Sequence, residues 1–174
     1  MLRLLLLRHA KATPHIAEDH SRMLAAKGRT DAARIGQYLH DEHLIPDLVI
    51  ASDALRTRET AMLALKPFEP AIPLHLEPKL YLADAPALFK LLHQVSKTAK
   101  TFLAVGHNPG FHDLAHLLIG YGDRYAFARL KAKMPTCALA VIDFDVESWQ
   151  SIQPRSGRLD RFITPSYFTG DDDD

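Results

Sequence analysis

The chain has 174 residues, 47% hydrophobic and 24% charged, proportions of an ordinary globular protein that exclude a disordered or fibrous one. Twenty-one basic side chains balance twenty-one acidic ones, so no net field recruits nucleic acid or an anionic membrane, and anion binding has to come from a local cluster. The length suits one well-cored domain over residues 1–169, with residues 170–174 a solvated, disordered acidic tail.

Leu4-Leu5-Leu6-Leu7 leads into Arg8-His9-Ala10. The run is too short to cross a bilayer and has no cleavage site behind it, so it reads as a buried strand, and the cytoplasm is the expected location. Lys11 to Lys27, polar and carrying Pro14, reads as a loop over that strand's carboxyl end. From Gly28 to about His40, Ala32, Ala33, Ile35, Gly36 and Leu39 recur at helical spacing. Leu44 to Ala51 is a second buried run, and Ser52-Asp53 offer N-cap chemistry for a helix from about Ala54 to Leu65. Pro67, Pro70 and Pro73 then keep the chain extended up to an edge strand at Ile72 to Leu76.

Ala85 to Gln94 carries Leu88, Phe89, Leu91 and Leu92 on a helical repeat, with Pro86 suited to the first turn. Lys100 to Gly106 reads as a strand, His107-Asn108-Pro109-Gly110 as a turn, and Phe111 to Ile119 as a helix stopped by Gly120. Cys137 to Phe144 is β-rich and is expected to pair with Trp149 to Gln153 through a turn at Asp145 to Ser148. The lone Cys137 permits no internal disulfide, fits a reducing compartment, and reads as a buried inert thiol. These alternations predict an α/β three-layer sandwich, a mostly parallel central sheet flanked by helices, with a C-terminal antiparallel hairpin and ligand at the strand carboxyl ends.

Separate strand ends then offer the same kind of group: Arg8-His9 after the first, Arg56 one helical turn past the second, and His107 after Gly106. In a parallel sheet such ends share one edge, and guanidiniums with imidazoles describe a site for a dianion, most commonly a phosphoryl group. Ten histidines are scattered without His-Glu-x-x-His or paired Cys/His spacing, so no metal and no other cofactor is expected.

On these residues the chain resembles the histidine phosphatase superfamily, the phosphoglycerate-mutase-like proteins, and within it the small SixA-type phosphohistidine phosphatases. The likeness spans nearly the whole chain. It rests on Leu7-Arg8-His9-Ala10, where Ala10 stands for the more usual Gly, and on Asp19-His20-Ser21-Arg22-Met23-Leu24 followed by Gly28. It rests also on Ser52-x-x-x-Arg56-x-x-x-Thr60 and on Val105-Gly106-His107-Asn108-Pro109-Gly110.

The resemblance implies that His9 is the nucleophile and that Arg8, Arg56 and His107 surround the transferring phosphoryl group, aided by the Asn108 amide. Arg56 is preferred to Arg58, which points to another helix face. Arg22 is either a substrate contact or a surface salt bridge. His15, His20, His43, His75, His93, His112 and His116 are assigned to surface or packing. Glu77 and Asp84 are weak candidates for the general acid of the larger enzymes, and the lack of a clear acid favours phosphohistidine or another phosphoramidate over alkyl esters. A phosphorylated protein or small phosphorylated molecule is the expected partner. The alternatives are a phosphomutase and a non-catalytic phosphate-binding module.

Overall fold

Leu2–Arg8 forms β1, the middle strand of a seven-stranded sheet. Successive strand side chains point to opposite faces. Leu2, Leu4 and Leu6 therefore enter one apolar core, and Leu5 and Leu7 enter the other. Each residue from Leu4 to Leu7 is at most 1% exposed, and burying a leucine to that extent stabilises by roughly 1.5–3 kcal/mol. The unbroken leucine run is thus the pattern of a strand covered on both sides.

The computed structural model describes residues 1–14 and 18–171; the reading of His15, and of the last three aspartates of the tail, lies outside them. After β1 come α1 (Ala26–Asp41), β2 (Leu48–Ala51), α2 (Leu55–Leu65), β3 (His75–Leu76), α3 (Ala85–Leu92) and β4 (Thr101–Gly106). They are followed by α4 (Gly110–Leu118), β5 (Ile119–Gly122), α5 (Arg124–Ala132), β6 (Leu139–Phe144), β7 (Gly157–Ile163) and α6 (Ser166–Thr169). No helix among the described residues is long and apolar enough to cross a membrane.

The strand order is β3-β2-β4-β1-β6-β7-β5. Only β6 runs against the others, pairing antiparallel with both β1 and β7. Helices α1 and α2 cover the face that receives Leu5 and Leu7, and α3, α4 and α5 cover the opposite one. At Gly36 a Cβ would lie 2.7 Å from the Ala64 carbonyl, so glycine is what lets α1 and α2 approach. At Gly28 a Cβ would run into the Lys11 carbonyl, which binds the segment after β1 onto the start of α1. Buried Asp143 accepts Arg3 Nε at 2.6 Å, Arg3 Nη2 at 2.8 Å and Arg158 Nη2 at 2.9 Å, so the carboxylate is paired across β1, β6 and β7.

Several local expectations need correction. The second strand of the hairpin is β7, and Trp149–Ser151 is a 3-10 turn. Trp149 is buried, donates Nε1–H to the Ala99 carbonyl at 2.7 Å and meets Phe102 edge-on, so its apolar character serves the core under the sheet. Gly120 does not end a helix in a loop: α4 passes at Ile119 directly into β5, where a Cβ on Gly120 would run into the Arg155 carbonyl. Ser52 and Asp53 do not cap α2, whose N-cap is Ala54 without a side-chain bond. Both are engaged at the strand ends instead. Helix α5 had no counterpart in the expected elements, because it buries only Ala126 and Leu130 and leaves a weak apolar period.

Candidate active site

Register brings the predicted residues together. Arg8 lies opposite Gly106, and Val105 opposite Ala51, so β1, β4 and β2 end side by side. The His9 amide donates to the Gly106 carbonyl at 3.0 Å, and the Ser52 amide to the Val105 carbonyl at 3.0 Å. Residues almost a hundred positions apart thereby share one edge, with the His9 and His107 ring centroids 5.4 Å apart.

The His9 ring has a defined tautomer. Its Nδ1 lies 2.8 Å from the Ala10 carbonyl, which can only accept, so Nδ1 carries the hydrogen and Nε2 the lone pair. Burial, with Arg56, Arg8 and Arg22 nearby, pushes its pKa down from 6.5 to about 4, against the opposing effect of the Ala10 bond. At neutral pH the imidazole is uncharged and basic at Nε2, as a nucleophile requires.

Ser52, Arg56 and Thr60 recur every four residues at and along α2, and each has a different task. Thr60 Oγ1 donates to the Arg56 carbonyl at 2.7 Å and accepts the Ala10 amide at 3.0 Å, locking the turn after β1. Ser52 Oγ accepts the Ala54 amide at 3.3 Å and lies 2.8 Å from His107 Nε2. The arrangement that leaves no hydroxyl hydrogen without an acceptor has Ser52 donating to Nε2, and His107 Nδ1 then bears a hydrogen. Arg56 is 3% exposed, and its Nη1 and Nη2 donate to the Asp19 carbonyl and carboxylate at 2.8 and 3.0 Å. Burial lowers the His107 pKa to about 3, with His9 and Arg56 adding to the effect.

Four side-chain atoms are buried with no partner in the protein among the described residues: Arg8 Nε, Arg56 Nε, His107 Nδ1 and Asn108 Oδ1. Three of these are donors on residues read as the phosphoryl clamp. Leaving a buried donor unsatisfied costs ~1–3 kcal/mol, more when it is charged. A cluster of such donors is therefore a site preorganised for an anion. Arg8 is itself braced by an Nη1 bond to the Met134 carbonyl at 3.0 Å, and Asn108 Nδ2 reaches the same carbonyl at 2.9 Å.

Of the weaker candidates, Arg58 is exposed, as its helix face requires. Arg22 donates to the Thr13 carbonyl at 2.9 Å and to Asp19 at 3.1 Å, and its charge is felt at His9. Glu77 and Asp84 accept the Lys79 and Ala87 amides at 2.9 and 3.0 Å, capping a 3-10 turn and α3. An apolar cavity of about 260 Å³ lies elsewhere, between α3 and the sheet, lined by Leu4, Leu6, Leu88, Leu92, Phe102 and Phe111. It has no cationic lining and cannot serve a phosphoryl group.

Motif spacing missed four groups at the rim. Tyr81 Oη donates to Asp19 Oδ2 at 2.5 Å, and its ring stands edge-on to His107 and to His20. Tyr81, then Arg22 and Arg56, hold the Asp19 carboxyl far below the ordinary carboxylate range. His20, assigned to surface or packing, pairs with Asp53 at 3.0 Å. These contacts join segments 33 to 62 positions apart, and only the Asp-x-x-Arg motif marked Asp19 in the sequence.

The two neutral imidazoles give a checkable titration. In a proton NMR series His9 and His107 are expected to titrate at about 4 and about 3, not near 6.5. The unfolded chain takes up these protons at about 6.5, so stability falls as pH drops from there towards 4, by about 1.4 kcal/mol per unit for each histidine. Titration of either ring near 6.5 would contradict the geometry described.

Fold and pocket together define a phosphoglycerate-mutase-like α/β protein with a cationic, histidine-bearing pocket at its sheet edge. Residues 4–84 match the model of the histidine phosphatase superfamily, branch 1. An uncharacterised protein of Mycobacterium leprae is 32% identical over 166 residues, covering 91% of this chain and 99% of its own. A crystal structure from Agrobacterium tumefaciens bearing the name SixA phosphohistidine phosphatase superposes with a TM-score of 0.79 at 28% identity, covering 94% of this chain and 98% of that one. A further structure of that name, from Nakamurella multipartitia, gives 0.82 at 24% identity over 94% of this chain and 96% of its own. The chain belongs to the histidine phosphatase superfamily, in its SixA-type group. Its activity is accordingly that of a phosphatase.

Proposed function

We propose that the protein removes a phosphoryl group from histidine in a phosphoprotein, or from a small phosphorylated molecule, through a phosphohistidine intermediate on His9. The observation that carries this reading is the set of unpartnered buried donors, Arg8 Nε, Arg56 Nε and His107 Nδ1, beside an imidazole whose Nδ1 is committed to a carbonyl. His9 Nε2 attacks phosphorus as the bond to the leaving group breaks. Arg8, Arg56 and His107 take the charge on the equatorial oxygens, and water then releases phosphate from His9. Protein groups alone supply the electrostatic stabilisation that dominates phosphoryl transfer.

The leaving group follows from the carboxylates. Glu77 and Asp84 are engaged as caps, and Asp19 is held ionised by its phenol and guanidinium partners, so no carboxylic acid is available to protonate an alkoxide. A phosphoramidate, whose nitrogen leaving group is easier to protonate, suits such a site. The SixA-type likeness supports the same substrate. Hydrolysis of a phosphohistidine peptide is expected to exceed that of an alkyl phosphomonoester by at least ~10²-fold in kcat/KM. Equal turnover of the two would refute the phosphoramidate assignment while leaving a general phosphatase standing.

A further inference from the structure

With Glu77, Asp84 and Asp19 all engaged, a proton for the leaving group has to come from another kind of residue. Among the described residues, His20 has the position and the chemistry. Its Nε2 lies 3.0 Å from Asp53 Oδ1, and a carboxylate accepts, so Nε2–H points to Asp53 and Nδ1 is the nitrogen left for proton exchange. The ring stacks edge-on against Tyr81 with centroids 4.9 Å apart, and Tyr81 stands edge-on against His107 at 5.3 Å. Two ring contacts therefore connect His20 to the second histidine of the pocket. Its chain neighbour Asp19 holds the Arg56 guanidinium, which fixes the 3-10 turn Asp19–Ser21 over the phosphoryl clamp. The His20 side chain is 37% exposed, so an incoming substrate can reach it.

We propose that His20, oriented by Asp53, is the proton donor and acceptor of the reaction; this rests on the phosphohistidine phosphatase reading above. In the first step protonated His20 gives its Nδ1 hydrogen to the free ring nitrogen of the substrate phosphohistidine. The phosphorus–nitrogen bond breaks, its electron pair stays on the departing nitrogen, and a neutral imidazole leaves as His9 Nε2 bonds to phosphorus. In the second step water attacks that phosphorus, neutral His20 takes the water proton at Nδ1, and the bond to His9 Nε2 breaks. Phosphate departs, and both histidines return to their starting states. An imidazole donor is matched in basicity to an imidazole leaving group and poorly matched to an alkoxide. The substrate preference inferred from the engaged carboxylates thus acquires a residue that produces it.

Asp53 acts through His20 and is a positioning residue. The test compares His20→Gln and Asp53→Asn with the unsubstituted protein on two probes, a phosphohistidine peptide and p-nitrophenyl phosphate. Nitrophenolate leaves without a proton, and kcat/KM covers only the steps up to its departure. His20→Gln is expected to lower kcat/KM on the peptide by ~10²-fold or more, and far less on the aryl phosphate. The aryl phosphate is expected to show a burst of nitrophenolate in this variant, followed by slow turnover as the phosphorylated enzyme waits for an activated water. Asp53→Asn is expected to show the same substrate-selective loss in weaker form. Parallel losses on both probes, an unimpaired peptide reaction, or an unsubstituted protein that ignores the peptide would each overturn the assignment. Failure of the phosphatase reading itself shows differently, as aryl phosphate left intact by the unsubstituted protein.

Discussion

Replacement of His9 by alanine is expected to lower turnover of an aryl phosphate by at least ~10⁴-fold, about 5.5 kcal/mol of transition-state stabilisation. An aryl phosphate is the suitable substrate, because its weakly basic leaving group hides any effect of proton donation. The loss follows from chemistry and not from folding. His9 is uncharged and 8% exposed, its ring bond goes to the adjacent Ala10 carbonyl, and its amide bond to Gly106 survives the substitution. The clamp formed by Arg8, Arg56 and His107 remains, so calorimetry should still register phosphate binding by the variant. Retention of more than a tenth of the activity would exclude His9 as nucleophile. Phosphate binding with no turnover by either protein would instead favour a binding module.

Arg56→Ala is expected to lower kcat by about 10²–10³-fold, the usual effect of removing one preorganised donor to developing charge. The effect on KM should be smaller, because two other donor groups still hold the ground-state phosphate. Arg56→Lys should recover only a small part: an ammonium supplies the charge but not the fork that lets Nη1 and Nη2 grip Asp19 while Nε stays free for the anion. Asp19 keeps Tyr81 and Arg22 as partners, so the melting temperature should move little. A change in kcat below threefold would remove Arg56 from the reaction.

Elements buried on both faces, or repeating on one, were legible. The leucines of β1 could only be a doubly covered strand, and the spacing of α1 and α3 carried into their buried positions. What escaped were elements stabilised by partners far along the chain. β7 interleaves Leu159, Phe162 and Ile163 with Arg158, Asp160 and Arg161, whose charges are paired among themselves and with Asp143 and Glu42. That alternation looks like loop until the partners are known. Trp149 and Ile152 showed the opposite error, apolar residues with strand-like composition that fill the core from a 3-10 turn.

The pocket divides along the same line. Arg8, His9, Arg56 and His107 were readable because each follows a strand end, and parallel topology gathers such ends whatever the loops do. The Ser52 motif was readable as a pattern but not as a function: that its hydroxyl meets His107 while Thr60 meets Ala10 depends on β2 and β1 both flanking β4. Tyr81, His20 and Asp53 had no such guide. They lie in irregular segments, and their hydrogen bonds and ring contacts appear only once the 3-10 turn at Asp19 closes over Arg56.

The central claim is a covalent bond between phosphorus and the ring nitrogen of His9. Rapid alkaline quenching during steady-state turnover, followed by mass spectrometry of the peptides, tests it directly. The account predicts one alkali-stable, acid-labile phosphoryl group, located on His9 and absent from the His9→Ala protein. An active enzyme that never carries phosphate on His9, or carries it on a different residue, would contradict it.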